Sequence, residues 1–302
     1  MAGGIQREFL DNRVISRLAG LPLHARRPML GNVTGRHRSP IRGSSLEFAE
    51  YRKYVPGDDT RRLDWRAWGR SDRYYIKEFE ADTNLRLCLV VDTSGSMGFP
   101  AGGESNRLDY ARRLAGTLAF LAARQGDAVG LYCASNGPLK EIPARRSPAH
   151  LSVVYDALET LQAKGETGLT AALHEAAEKI AQRALIVIIS DLFLASAELK
   201  EAIQHLRFRK HDVAVFHLME KQELEFGFDR PMRFVDLEGG NAIMADPSLM
   251  ARQYREALQK YLEQIHEVMR DAAVDYHLVT LDEPYDEVLA RFLLGRTPKL
   301  SR

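Results

Sequence analysis

From residue 85 onward, short unbroken apolar runs alternate with longer segments in which apolar residues recur every three or four positions. "LRLCLVVD" (residues 85–92) is continuous and aliphatic, as a strand covered on both faces requires. "NRLDYARRLAGTLAFLAARQG" then puts Leu108, Ala111, Leu114, Leu118 and Leu121 on one helical face and stops at Gly126. "DAVGLYCAS" reads as a second strand and "PLKEIPA" as a short edge strand. Two helices, "PAHLSVVYDALETLQAK" and "LTAALHEAAEKIAQ", flank the tetrapeptide "GETG". The rhythm resumes with strand "RALIVIISD", helix "SAELKEAIQHLRFRK" and strand "DVAVFHLM", then a long helix over residues 248–271, strand "VDYHLVTL" and helix "YDEVLARFLLG". Strands spaced by helices of this length predict an α/β fold, a doubly wound and mostly parallel sheet with helices on both faces. The alternation breaks only at residues 223–246. There "MRFVDLEGGNAIMAD" predicts a hairpin turning at Gly239, Gly240 and Asn241, inserted before the long helix.

The first 84 residues follow no such pattern. Residues 20–45 are rich in Arg, Gly, Pro and Ser and lack a period, so irregular chain is expected there. Ahead of them, Ile5, Phe9, Leu10, Val14 and Leu18 fit one face of a short amphipathic helix, expected to dock on protein rather than on a membrane. The division predicted is a smaller Arg/Trp-rich amino-terminal element, residues 1–84, and an α/β domain, residues 85–302. Composition changes little in this picture: 302 residues, 45% hydrophobic and 27% charged, are ordinary for a globular protein. A formal net charge of +1 gives no global attraction to nucleic acid or anionic membrane. The longest apolar runs, such as "ALIVII", fall well short of the roughly 20 residues of a spanning helix. Arg7, Arg13 and Arg17 interrupt the stretch in which a secretory signal needs apolar residues, so a cytoplasmic location is expected. Cys88 and Cys133 lie within apolar runs and are expected to be buried, reduced thiols.

Candidate chemistry gathers where strands end. In parallel sheets ligands collect at the carboxyl ends of the strands. The run "LCLVVDTSGSMG" delivers Asp92, Ser94 and Ser96 to such an end, and "VIISDLF" delivers Asp191 to another. Thr167 lies in the glycine-flanked "GETG" loop, with Thr170 as its alternative. These are two carboxylates and three hydroxyls, an all-oxygen set that suits a hard cation, Mg²⁺ first and Mn²⁺ or Ca²⁺ next, and disfavours zinc. Two carboxylates barely neutralise a divalent ion, which would then welcome a carboxylate from outside. Each element has a plainer use, since Asp92, Ser94 and Ser96 also suit a helix-capping turn and Asp191 a cap; their joint occurrence favours the metal. His174, one or two turns beyond Thr167, is expected to be a packing or solvated histidine.

Asp92-x-Ser94-x-Ser96, then Thr167, then Asp191, in that order on an α/β pattern, resembles the metal-ion-dependent adhesion site of von Willebrand factor A domains. That resemblance implies a metal held by these five residues and completed by an acidic residue of a partner. A second stretch, "EFAEYRKYVPGDDTRRLDWRAWGRSDRYYIKEFE" at residues 47–80, resembles the signature of the bacterial domain of unknown function 58 family. Members are associated with MoxR-type AAA+ ATPases, which implies a role beside such an ATPase in assembling or activating protein complexes. Many members carry membrane helices before the signature; this chain shows none there. Energy would come from the ATPase, because no Gly-x-x-x-x-Gly-Lys-Ser/Thr loop is present.

The function expected is thus a non-enzymatic, metal-dependent protein-binding module. A metal-assisted phosphohydrolase is the first alternative. Ser94, however, stands where haloacid-dehalogenase-type phosphatases place their second Asp, and "GSMG" is not the Gly-x-Ser-x-Gly elbow. Nucleic-acid binding through the basic amino-terminal arm is the second. Arg61, Arg62, Trp65, Arg66, Trp68, Arg70 and Arg73 interleave guanidinium and aromatic groups, but Asp58, Asp59, Asp64 and Asp72 among them favour internal pairing.

Overall fold

The computed structural model describes residues 7–26, 37–39, 47–53, 74–83, 85–100, 105–137, 139–227, 232–239, 243–245 and 247–297. The Arg/Trp-rich run at residues 54–73 lies outside them. The chain forms two compact units, residues 1–24 with 86–302, and residues 25–85. The second contains a three-stranded antiparallel sheet, in the order β1 (His37–Ser39), β3 (Tyr75–Thr83), β2 (Glu47–Lys53). His37 pairs with Thr83, so part of the stretch expected to be irregular is strand.

The larger unit is built on a six-stranded sheet. β4 (Arg86–Asp92), β5 (Ala128–Ala134), β7 (Leu185–Ser190), β8 (Asp212–Met219) and β11 (Asp275–Thr280) run parallel. β6 (Lys140–Arg145) pairs antiparallel with β5 and closes one edge. The order is β11-β8-β7-β4-β5-β6, the doubly wound arrangement that the alternating pattern predicts. β4 sits near the middle with every residue from Leu87 to Asp92 buried, which explains why its sequence is a run and not an alternation.

On one face the core is formed by α4 (Leu169–Lys179), α5 (Ser196–Phe208) and the end of α7 (Pro247–Asp271), with Leu173, Ile203 and Ile265 packed among Val90, Ile186 and Val215. On the other, α2 (Arg107–Arg124) buries Leu108, Ala111, Leu114, Leu118 and Leu121, the stripe read from its spacing. A capping box of Asn106 and Asp109 starts it. α3 (Pro148–Glu159) and α8 (Tyr285–Arg296) join this layer. α3 stops about one turn earlier than its pattern suggests, because the backbone after it is used elsewhere: Lys164 N–H donates to Thr93 O (3.0 Å) and Gly95 N–H to Gly165 O (2.8 Å). Cys88 and Cys133 are free and buried, and burial pushes their thiols up to about 12 and about 11.

The amino-terminal helix α1 (Asn12–Leu18) is shorter than its apolar stripe, because Asp11 caps it by accepting from Arg13 N–H at 2.7 Å. Val14 and Leu18 are buried, and Phe9 reaches in from the preceding turn. Its ring lies edge-on to Tyr155 at 5.9 Å, in a space that a Cβ on Gly116 would invade at 2.6 Å. Arg7 pairs with Asp156 and Glu159, and Arg17 with Asp286. The expected single element of residues 1–84 is therefore divided: residues 1–24 belong to the large unit, anchored by Phe9 and α1. The inserted hairpin is present as β9 (Met232–Phe234) and β10 (Ile243–Ala245), after the short α6 (Lys221–Glu225).

Replacing Phe9 by Ala should destabilise the large unit by about 3 kcal/mol, the usual cost of emptying an aromatic site in a core. Urea unfolding checks this. A change below about 0.5 kcal/mol, typical of surface positions, would mean that the arm is not part of the core.

Candidate functional site

The connection after β4 returns to its neighbour β5 on one side, whereas the chain later crosses to β7 on the other. β4 and β7 therefore flank a topological switch point, where the following loops part to opposite faces and leave a crevice. Asp92 ends β4 and Asp191 follows β7, so the carboxylates sit at the two lips of that crevice. Both are 1% exposed.

After Asp92 the chain turns tightly through a 3-10 segment, Gly95–Gly98. The turn is fixed by Asp92, whose Oδ1 accepts from Ser94 N–H (2.9 Å), and by Thr93, whose hydroxyl donates to Ala134 O (2.7 Å) at the end of β5. Ser94 and Ser96 thereby point the same way, their hydroxyl oxygens 3.0 Å apart. Gly95 has no room for a side chain, since a Cβ there would lie 2.1 Å from Leu237 O. The "GETG" loop closes the third side. Gly168 lets it approach β5, where a Cβ would meet Ser135 O at 2.0 Å. Thr167 hangs at its tip with its hydroxyl accepting from Leu169 N–H at 3.4 Å.

Of the five residues expected to share a site, Asp92, Ser94 and Ser96 are linked through Ser94, which bonds to each of the other two. Asp191 is close enough for its charge and that of Asp92 to act on each other. Thr167 joins through a residue that the pattern did not single out. Glu238, at the turn side of β9, accepts from Ser96 Oγ–H with Oε1 (3.0 Å) and from Thr167 N–H with Oε2 (3.2 Å). One carboxylate therefore spans the β4 turn and the threonine loop. Thr170 lies inside α4, a residue beyond its start.

Three residues of the crevice are not singled out by the pattern, Glu238 among them. Ser190 donates to Asp92 Oδ2 at 2.7 Å and accepts from Leu192 N–H at 2.9 Å. Arg107, 1% exposed at the start of α2, donates to Asp191 Oδ2 (3.1 Å) and to Ser96 O (2.9 Å), and pairs with Glu223. Its local sequence gives no hint of burial, as "NRLDYARR" contains two other arginines on the same helix. Ser190 stands directly before Asp191, and that adjacency is the one sign of its role. His174 takes no part: its Nδ1 faces Nδ1 of His205 at 2.9 Å, between α4 and α5. Glu166 holds Asn136 at 3.0 Å.

The electrostatics are lopsided. Burial raises the Asp92 carboxyl above its ordinary value, opposed by the Ser94 amide and the Ser190 and Ser94 hydroxyls, with the Glu238 charge raising it further. Asp191 is pushed up to about 7 by burial, against the pull of Arg107 and with Asp92 adding to the rise. Among the described residues no Lys or Arg forms an ion pair with Asp92, and its carboxyl is held by hydrogen bonds. Beside the crevice a cavity of about 630 Å³ opens between Thr93, Cys133, Lys140, Leu161, Lys164 and Gly165. Among the described residues no helix is long and apolar enough to cross a membrane.

Fold and site together define a doubly wound α/β domain with an oxygen-lined crevice at the switch point of its sheet. Residues 50–267 match the family described as "Protein of unknown function DUF58", and the chain belongs to that family. Over 292 residues it is 26% identical to an uncharacterized protein of Mycobacterium tuberculosis, an alignment covering 95% of this chain and 90% of that one. Similar solved structures include a conserved hypothetical protein, BatB, from Bacteroides thetaiotaomicron, with 18% identity, 70% of this chain and 98% of that one covered, and a TM-score of 0.47. The SpRpn10 VWA domain is another, at 11% identity, 72% and 96% coverage and a TM-score of 0.43.

An unfolded aspartate titrates near 4. The folded protein, with Asp191 at about 7, binds an extra proton between these values, so in chelator this residue costs stability as pH rises from about 4 to about 7. Asp191→Asn removes that component. Urea unfolding should show the variant gaining on the wild type between about pH 5 and about pH 7.5, by up to about 1.4 kcal/mol per pH unit over the titrating range. A difference independent of pH would contradict it.

Proposed function

We propose that the chain is a protein-binding module that seats a divalent cation, Mg²⁺ foremost, in the crevice formed by Asp92, Ser94, Ser96, Thr167 and Asp191. What supports this most is a buried carboxylate, Asp92, with a second beside it and a third from Glu238 reaching over, and, among the described residues, Arg107 on Asp191 to offset them. Charges this close and this dry are costly unless a cation neutralises them. The donors fit that cation. All are oxygen, two are anionic and three neutral, as hard Mg²⁺ prefers, and the packed turn leaves little to rearrange. When bound, the ion supplies a Lewis-acidic point that attracts an outside carboxylate.

The chain's own residues do the rest. The Ser94 amide and Ser190 orient Asp92, Arg107 orients Asp191, and the glycines at 95 and 168 let the loops close. Lys140 and Lys164 flank the neighbouring cavity and favour an acidic client segment entering there. The partner ATPase implied by the family is of MoxR type. In this reading it hydrolyses ATP, while this chain recognises the client and performs no catalysis, in the assembly or activation of protein complexes.

Two measurements bear on this reading. Mg²⁺ at about 100 times its dissociation constant should stabilise the protein by about 2.7 kcal/mol, and Asp92→Asn should abolish the effect. Affinity purification from native cells should recover the ATPase with Mg²⁺ and lose it with chelator. Equal recovery in both conditions, unchanged by Asp92→Asn, would overturn the metal-dependent function.

A further inference from the structure

The inserted segment following β9 bears directly on the crevice, and its residues were assigned no role by sequence. Glu238 places one oxygen on the hydroxyl of Ser96 and the other on the amide of Thr167, at 3.0 and 3.2 Å. The local backbone holds it in that position. Glu238 N–H donates to Asp236 Oδ1 at 2.8 Å, and Leu237 O lies against Gly95, where no side chain would fit. A carboxylate so held joins the β4 turn to the threonine loop, against two of the five expected residues. It is also an unfavourable neighbour for Asp92, whose carboxyl its charge raises.

The segment carrying it is lightly anchored. Val235 and Leu237, on either side of Asp236, remain 58% and 39% exposed, so burial of apolar surface does little to hold them there. Contact with the crevice comes instead from polar groups that another carboxylate would satisfy equally well.

We infer that Glu238 is a carboxylate supplied in cis to the cation site, occupying the seat of the client's acidic side chain. This rests on the proposed cation site and adds to it: the metal is held more tightly by the resting chain than five ligands alone allow, and client carboxylates bind only by displacing Glu238. Selectivity follows from that competition, because a lone carboxylate gains nothing over Glu238, whereas a client that also covers Val235 and Leu237 does.

The test uses Mn²⁺ as the metal and acetate as the carboxylate, on the full chain and on Glu238→Gln, which keeps the shape and removes the charge. Mn²⁺ affinity, followed by electron paramagnetic resonance, should fall about tenfold or more in the variant, the scale on which metal sites respond to loss of a supporting group. Acetate methyl protons should be relaxed strongly by Mn²⁺ bound to Glu238→Gln and weakly by Mn²⁺ bound to the wild type. Exchange of the Thr167 amide, measured in chelator, should quicken in the variant. Equal Mn²⁺ affinity and equal acetate relaxation in both proteins, with binding still lost in Asp92→Asn, would overturn the role of Glu238 and leave the cation site standing. Mn²⁺ binding that is absent from the wild type, or unchanged by Asp92→Asn, would overturn both.

Discussion

Two buried carboxylates set beside each other at the ends of adjacent parallel strands are the constraint on which the rest of this structure turns. Asp92 ends β4 and Asp191 directly follows β7, and the crevice lies between them because the sheet is wound in both directions from there. Burial alone would favour replacing both with neutral residues. The surroundings are instead arranged to keep them, with the Ser94 amide and the Ser190 hydroxyl on the two oxygens of Asp92 and a fully buried arginine on Asp191. A protein interior built this way gives up stability at a site, and the cation of the proposed function is what would make the arrangement favourable.

The loops around the crevice follow from that need. The β4 turn must be tight enough for Ser94 and Ser96 to face one point, which fixes Gly95 and ties Thr93 to the end of β5. The loop after α3 must bend back to the same point, which shortens that helix and commits its backbone groups to Thr93 and Gly95. Arg107 begins α2 facing inward and not into solvent, although polar residues surround it in sequence. Local preferences give way here to the geometry of a shared pocket.

Much of this is legible from periodicity. Unbroken apolar runs mark the buried parallel strands, the stripe on α2 can be read residue by residue, and the hairpin after residue 223 is placed by its glycines. Asp92, Ser94 and Ser96 are visible because polar residues at a strand's end interrupt an otherwise apolar pattern. Glu238, Arg107 and Ser190 are not, because each enters the site through a contact far away in sequence, 142 residues for Glu238 and Ser96. Nor is the attachment of α1 fixed in advance. An apolar stripe states that a face must be covered, and only the packing of Phe9 on Gly116 and Tyr155 states by what. The strand at residues 37–39 is hidden because three residues amid Arg, Gly and Pro carry no alternation.

The cation at the crest of β4 is the central claim, and crystals grown with Mn²⁺ test it most directly. Diffraction data collected at the manganese edge should give one anomalous peak within bonding distance of Asp92, Ser94 and Ser96, with Thr167 and Asp191 around it. An ordered crevice without such a peak, at Mn²⁺ concentrations in the millimolar range typical of weak extracellular-type metal sites, would contradict it.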